Sequence, residues 1–276
     1  MLSPHDVSAR RRAFRQLHES GCFVIPNPWD PGSARYLQQL GFKALATTSS
    51  GAAWRHAKAD GQMPVEETLA HLREMVAATG LPVNADFEAG FAADAIGVAR
   101  NVRLAVETGV AGLSIEDSTG DANEPLRDIA SAVERMRAAR AAIDEAGGET
   151  LLVGRAENVI VGRPDLGDAI RRLQAYAEAG ADCLYAPGIT TREQIAAVVA
   201  AVAPKPVNLL IGFPTELTVR DIEALGVRRV SVGGALARAA WGGFMRAAQM
   251  IATAGKFDGF AGAAAGAELN RLMREG

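Results

Sequence analysis

Apolar residues gather along this chain into eight short runs. They are Cys22–Ile25, Ala44–Thr48, Val83–Phe87, Gly112–Ile115, Leu151–Gly154, Cys183–Ala186, Val207–Ile211 and Arg229–Val232. Between them lie stretches of Ala, Leu, Glu and Arg with helical patterning: Val65–Thr79, Ala92–Thr108, Leu126–Ala146, Asp165–Ala179, Arg192–Val202, Val219–Leu225 and Ala235–Ala252. Short apolar runs alternating with amphipathic helices predict βαβ units and a parallel sheet. Gly41, Gly80, Gly109, Gly180 and Gly226 lead from helix to strand, where a left-handed residue closes the helix.

Eight such units within 276 residues predict an α/β fold of the (β/α)8 TIM-barrel type. The rival is an open doubly wound sheet, which usually carries a Gly-rich phosphate turn after its first strand. Here that turn reads PNPWDPGS and has no GxGxxG. Ser3–Glu19 and Ala261–Arg274 read as additional helices. No linker or break in composition divides the chain. The expectation is one domain over residues 1–276, with an N-terminal helix at 1–20, the barrel at 21–255 and a C-terminal helix at 256–276.

Composition narrows the function classes. With 29 Lys+Arg against 32 Asp+Glu, the net charge of -3 disfavours nucleic acid, whose phosphates reward clustered basic residues. No run of about 18 apolar residues suggests a membrane span, and the first 20 residues carry no apolar signal segment. Two cysteines, Cys22 and Cys183, exclude a disulfide framework. The expectation is a cytoplasmic protein that binds neither nucleic acid nor membrane.

In a barrel, chemistry sits where the strands end at their carboxyl termini, and the polar residues concentrate there. Asn27 and Asp30 follow strand 1, and Thr47, Thr48, Ser49, Ser50 and Gly51 follow strand 2. Asn84, Asp86 and Glu88 lie on strand 3, Glu116 and Asp117 end strand 4, and Arg155 and Glu157 end strand 5. Asn208 lies on strand 7 and Gly233-Gly234 follow strand 8. Strand alternation aims Asn84, Asp86 and Glu88 at one face, with Glu116 beside them. Asp86, Glu88 and Glu116 could hold a hard divalent cation; the alternative is a solvated carboxylate rim paired with Arg155. Arg155 is either a clamp for a substrate carboxylate or a salt-bridge partner of Glu116 or Glu157. Ser49-Ser50-Gly51 could offer hydroxyls and amides to an anion, or be loop chemistry alone. Absences matter as well. His5, His18, His56 and His71 avoid strand ends, which disfavours zinc. Lys43, Lys58, Lys205 and Lys256 do so too, which disfavours a Schiff-base aldolase. Cys22 and Cys183 read as core thiols.

Six motifs follow one another at barrel spacing: TTSSG, ADFEAGF, SIEDSTGD, GRAEN, GADCLYAPGI and RRVSVGGALARAAWG. Together, from Phe23 to about Gly259, the chain resembles the isocitrate lyase/phosphoenolpyruvate mutase superfamily, closest to its short bacterial branch. The resemblance implies a barrel whose last helix is exchanged with a partner subunit, giving a homodimer or homotetramer. It implies Mg²⁺, with Mn²⁺ as an alternative, held by Asp86 and Glu116 largely through water, with Glu88 and Asn84 in the same site. It implies a small carboxylate substrate met by Ser50, Gly51, Ala52 and Arg155, and an acidic residue, Asp60, near the reacting group; Ser49 and Asn208, read from their strand-end positions, join the expected substrate contacts. Arg155, Glu116 and Asp60 are the expected catalytic set.

The chain departs from the family in three places. Asn84 replaces an aspartate of the metal site. No Lys-Cys-Gly-His loop follows Glu116, where the lid over Asp117–Asp128 reads DSTGDANEPLRD; this disfavours isocitrate and methylisocitrate cleavage. The phosphoenolpyruvate mutase lid is unmatched, with Asn123 a partial stand-in. Trp54-Arg55-His56 also replaces smaller residues. The expected activity is carbon–carbon lyase or hydrolase chemistry on a small α-oxo or 2-hydroxy acid through an enolate. C–P chemistry on phosphonopyruvate and a non-catalytic carboxylate-binding barrel are the alternatives.

Overall fold

The computed structural model describes residues 3–274. Met1, Leu2, Glu275 and Gly276, included in the expected single domain, lie outside the described residues. In chain order the barrel elements are β1 (Phe23–Ile25), α2 (Pro31–Gln39), β2 (Leu45–Ala46), α3 (Ser49–Arg55), α4 (Val65–Ala78), β3 (Val83–Asp86), α5 (Ala95–Glu107), β4 (Gly112–Glu116) and α6 (Ile129–Glu145). They continue with β5 (Leu151–Arg155), α7 (Leu166–Glu178), β6 (Cys183–Tyr185), α8 (Arg192–Val202), β7 (Val207–Leu210), α9 (Val219–Ala224), β8 (Arg229–Ser231) and α10 (Ala235–Ala254). Helix α1 (Pro4–Leu17) precedes the barrel, and a 3-10 turn (Asp258–Phe260) and α11 (Gly266–Arg274) follow it.

All strand pairs are parallel, in the order β1-β8-β7-β6-β5-β4-β3-β2. A hydrogen bond from Ala46 N to Pro26 O, 3.1 Å long, bridges the remaining seam between β1 and β2. The expected (β/α)8 barrel is therefore the observed fold. Helix starts are written into the loops. Asp30, Thr48, Asp94, Asp128, Asp165, Thr191 and Thr218 each accept a hydrogen bond from the backbone N–H three residues on. Such caps satisfy amides that have no partner inside the helix.

Four local expectations change. The segment after β1 forms α2, and Ser49-Ser50-Gly51 opens α3 instead of a loop. The C-terminal helix begins at Gly266 and not at Ala261. Gly41, Gly109, Gly180 and Gly226 take positive φ as expected, but Gly80 does not. There α4 stops at Ala78 and Thr79 is already extended at φ -139°.

Helix α1 closes the amino-terminal end of the barrel. Phe14 is fully buried and meets His18 and Phe23 edge-on, while Arg11 donates to the carbonyls of Val106 and Val110. The main apolar core lies between the strands and the helix ring, where Leu72, Val102, Leu113, Leu173 and Val198 pack. The barrel interior is different. Barrels of this type are usually filled by branched aliphatic side chains, whereas here Asn84, Ser114, Asn208, Arg229 and Ser231 are buried. Only Ala237 of α10 is buried, which leaves Trp241, Phe244, Met245 and Ile251 exposed. Helix α11 rests on α2, where Arg35 and Gln39 donate to the carbonyls of Met273 and Leu272.

Candidate active site

A cavity of about 350 Å³ opens at the carboxyl ends of the strands. Ser49, Ser50, Trp54, Asp60, Asp86, Arg155, Tyr185 and Gly234 form its upper walls, and Asn84, Ser114, Asn208, Arg229 and Ser231 line it further in. Gly234 keeps the mouth open at one point, because a Cβ there would stand 2.7 Å from Ser50 Oγ and 3.3 Å from the Trp54 ring.

Arg155 is the centre of the mouth. Register places it between Glu116 on β4 and Tyr185 on β6. Its Nη1 lies 3.1 Å from Glu116 Oε2 and 3.3 Å from Asp86 Oδ1. Its Nε and Nη2 donate to the two oxygens of Glu157, the latter at 3.2 Å, and its guanidinium carbon stands 5.1 Å over the Tyr185 ring. Burial works against this charge, but Glu157, Glu116, Tyr185 and Asp86 outweigh it and hold Arg155 protonated. Glu157 is fixed from behind: its N–H donates to Asp117, whose carboxylate also accepts from Arg172 at 3.0 Å and Tyr176 at 2.5 Å.

Asp86 is aimed by backbone contacts, because Ser49 N donates to its Oδ2 at 3.0 Å and its own N–H donates to Thr47 Oγ1 at 2.9 Å. Glu116 accepts from Ser118 Oγ at 2.6 Å. Burial, and then the charge of Asp86, pushes the Asp60 carboxyl up, although the residue is exposed at the rim.

The sequence-predicted residues separate into groups. Asp60, Asp86, Arg155, Ser49 and Ser50 line the cavity; Glu116 joins them through Arg155 Nη1 at 3.1 Å but does not itself line it. Gly51 and Ala52 do not line the cavity, and their N–H groups are taken by the Thr48 cap and the first turn of α3. Glu88 departs from the shared face expected for it. Strand β3 ends at Asp86, and Glu88 sits at φ 45°, so alternation no longer sets its direction. It lines a smaller cavity behind the mouth, with His71 and Thr68. Burial, then Asp86, Glu116 and Asp60, raises its carboxyl to about 8. Asn84 does face inward, but its Oδ1 accepts from Arg229 Nη1 at 3.4 Å, below the Arg155 cluster. Asn208 is fully buried and bonded to Ser231 Oγ and Arg229 Nε. Tyr185 and Arg229 were absent from the expected site. Strand parity was the signal for Tyr185, two positions beyond Cys183 on the same face; Arg229, at the start of its strand, carried none that was local.

Among the described residues, no group of three or more His, Cys, Asp or Glu side chains stands ready to enclose a metal. The donor chemistry nonetheless fits a hard cation. The acids at the mouth offer only oxygen, the donor type that hard cations prefer. Asp86 and Glu116 are the residues that would hold it.

A polar mouth of this kind on a (β/α)8 scaffold defines a class, the barrel enzymes that work at strand carboxyl ends. The family follows from comparison. The family model described as phosphoenolpyruvate phosphomutase matches residues 14–252, and the chain belongs to the isocitrate lyase/phosphoenolpyruvate mutase superfamily. A crystal structure from Burkholderia cenocepacia J2315, provisionally described as a lyase/mutase, is 47% identical; it covers 98% of both chains with a TM-score of 0.94. Oxaloacetate decarboxylase of Rhodopseudomonas palustris (strain BisB18) is 32% identical over 233 residues, which are 81% of this chain and 77% of that protein. Oxaloacetate acetylhydrolase bound to its product oxalate is 26% identical with a TM-score of 0.84, covering 96% of this chain and 94% of that one. This chain is accordingly an enzyme of a superfamily whose named relatives act on small carboxylates.

Proposed function

We propose that the chain is a divalent-metal-dependent carbon–carbon lyase or hydrolase acting on a small α-oxo or 2-hydroxy acid through an enolate, with Mg²⁺ as the metal. The observation that carries this reading is the Arg155 guanidinium held beside Asp86 and Glu116 at the mouth of the cavity. The oxaloacetate-processing relatives support it.

Arg155 is the fixed cation. Glu157 grips two of its nitrogens, so Nη1 is turned toward the mouth, where it can meet a substrate carboxylate. Ser49 and Ser50 supply polar groups on the opposite wall. A positioned substrate reacts faster because orientation is settled before the bond breaks. Asp60 lines the cavity with a carboxyl raised by burial and by Asp86, which suits it to take or give the proton of the leaving fragment. A bound divalent cation would supply electrostatic stabilisation of enolate charge, and Asp86 and Glu116 would hold it.

The unpaired cysteines suit a reducing cytoplasm. The exposed apolar side chains of α10 support a homodimer or homotetramer, including exchange of that helix, and light scattering that finds only monomer at micromolar concentration rules this out. The deciding experiment is a screen of oxo acids, 2-hydroxy di- and tricarboxylates and phosphonopyruvate with Mg²⁺, reading pyruvate, oxalate and phosphate. Chelator-sensitive release of a two- or three-carbon acid supports the lyase. Phosphate release moves the reading to C–P chemistry, and ligand binding without turnover, indifferent to chelator, makes the chain a binding barrel.

A further inference from the structure

Arg229 begins β8 in register with Asn208 of β7 and Phe23 of β1, and its side chain is turned into the barrel with only 3% exposure. Its Nε donates to Asn208 Oδ1 at 2.7 Å, and its Nη1 lies 3.4 Å from Asn84 Oδ1 and 3.4 Å from His18 Nε2. Every one of these partners is uncharged. His18 is held neutral, since burial and then Arg229 lower its pKa to about 3. Among the described residues, no carboxylate forms a salt bridge with Arg229, whose side-chain partners are two amides and an imidazole. A guanidinium cannot shed its proton at any ordinary pH, so burial leaves a lasting positive charge without a counter-ion, a costly arrangement unless an anion completes it.

The surroundings are built for such an anion. Arg229, Asn84, Ser114, Asn208 and Ser231 all line the inner part of the cavity that opens at the mouth. Hydroxyls and amides stand where aliphatic side chains would otherwise fill the barrel. We propose that the floor of the cavity is a second anion subsite, centred on Arg229, which takes a carboxylate. The guanidinium supplies the charge and planar donors, and the Ser231 hydroxyl beside Asn208 supplies a further polar contact. The subsite is separate from the Arg155 clamp and does not depend on the reaction proposed for the mouth. The carboxylate is either the far end of a ligand held by Arg155 or a separate small acid.

Calorimetric titration of the full chain with malonate, pyruvate and formate tests this. Arg229→Met should bind malonate about tenfold more weakly, as expected for one lost charge-assisted contact, and bind pyruvate within about twofold of wild type. Arg229→Lys should retain most malonate affinity because it keeps the charge. That pattern places both carboxylates on one ligand. Formate binding to pyruvate-saturated wild type, lost in Arg229→Met, identifies a separate acid instead and equally supports the subsite. Should Arg229→Met not fold, Asn84→Asp replaces it: a carboxylate beside Arg229 should weaken malonate binding by a similar factor. Malonate and formate binding unchanged in the variants, or absent from wild type at millimolar concentration, overturns the subsite and leaves a floor that holds only water. Failure of the oxo-acid screen, with these dependences intact, would sink the lyase reading and leave the subsite standing.

Discussion

Arg155 at the mouth and Arg229 at the floor project into one cavity, yet their surroundings are opposite. Arg155 touches Asp86, Glu116 and Glu157, with Glu88 and Asp60 close enough to feel its field. Arg229 touches two amides and a neutral imidazole. The mouth gathers several carboxyl groups around one arginine, and the floor holds an arginine whose side-chain partners are neutral. A ligand entering this barrel therefore crosses from an acidic rim, suited to a cation, to a basic floor, suited to an anion. Identical side chains acquire different tasks through the strand positions around them.

The strongest way to break the contrast is to remove the mouth arginine. Arg155→Met should lower turnover by about a thousandfold, because both substrate orientation and charge are lost. It should also destabilise the fold by about 3–5 kcal/mol near neutral pH, since it leaves Glu116 and Glu157 buried without their partner. Denaturant unfolding and steady-state kinetics read the two losses separately. Asp86→Ala comes next. It should cost about a hundredfold in metal-dependent turnover and weaken Mg²⁺ binding, while unfolding stays within about 1 kcal/mol because a mouth carboxylate is not core. Equal Mg²⁺ affinity in both proteins would remove Asp86 from the metal site.

Acid stability gives the third effect. His71 is buried with neither ring nitrogen hydrogen-bonded, and burial, followed by Arg55, lowers its pKa to about 4. The folded protein resists a proton that the unfolded chain accepts below the ordinary value of 6.5. Stability should fall as pH drops from about 6.5 to about 4, by about 3 kcal/mol from this group. His71→Leu should move acid unfolding to lower pH, and an unmoved midpoint refutes the assignment. The smallest effect sharpens the comparison most. On sequence alone, Asn84→Asp should tighten Mg²⁺ binding by restoring a carboxylate to the metal site. With Asn84 bonded to Arg229, the new charge should instead pair there and change Mg²⁺ affinity by less than about threefold. Clear tightening by calorimetry would merge floor and mouth into one site.

Much of this fold was legible because apolar runs and caps are local signals. The eight strands appear within one or two residues of the runs that predicted them. Helix α2 was missed, although the Asp30-Pro31 pair that starts it is a helix-start signal, because its nine residues lie among residues that read as loop. Glu88 was misplaced because parity holds only while a strand lasts, and one left-handed residue ends it. Arg155 stood out as a polar residue at a strand's carboxyl end. Arg229 did not, because a charge at the start of a strand reads as surface until the barrel's closure turns it inward. Its role depends on Asn84 and His18, residues 145 and 211 positions away, and no local pattern carries that information.

The pairing of β1 with β8 also sets a timetable for biosynthesis. Asn27, just beyond β1, accepts hydrogen bonds from the N–H groups of Val232 and Gly233, the latter 206 residues later. At translation rates of about 5–20 residues per second, the first strand waits roughly 10–40 s for its partner to leave the ribosome. During that interval one edge of β1 is an open template, and unpaired edges invite pairing with other chains. Helix α1 precedes β1 and packs Phe14 against Phe23 early, so it can shelter the nascent edge before it seals the finished barrel.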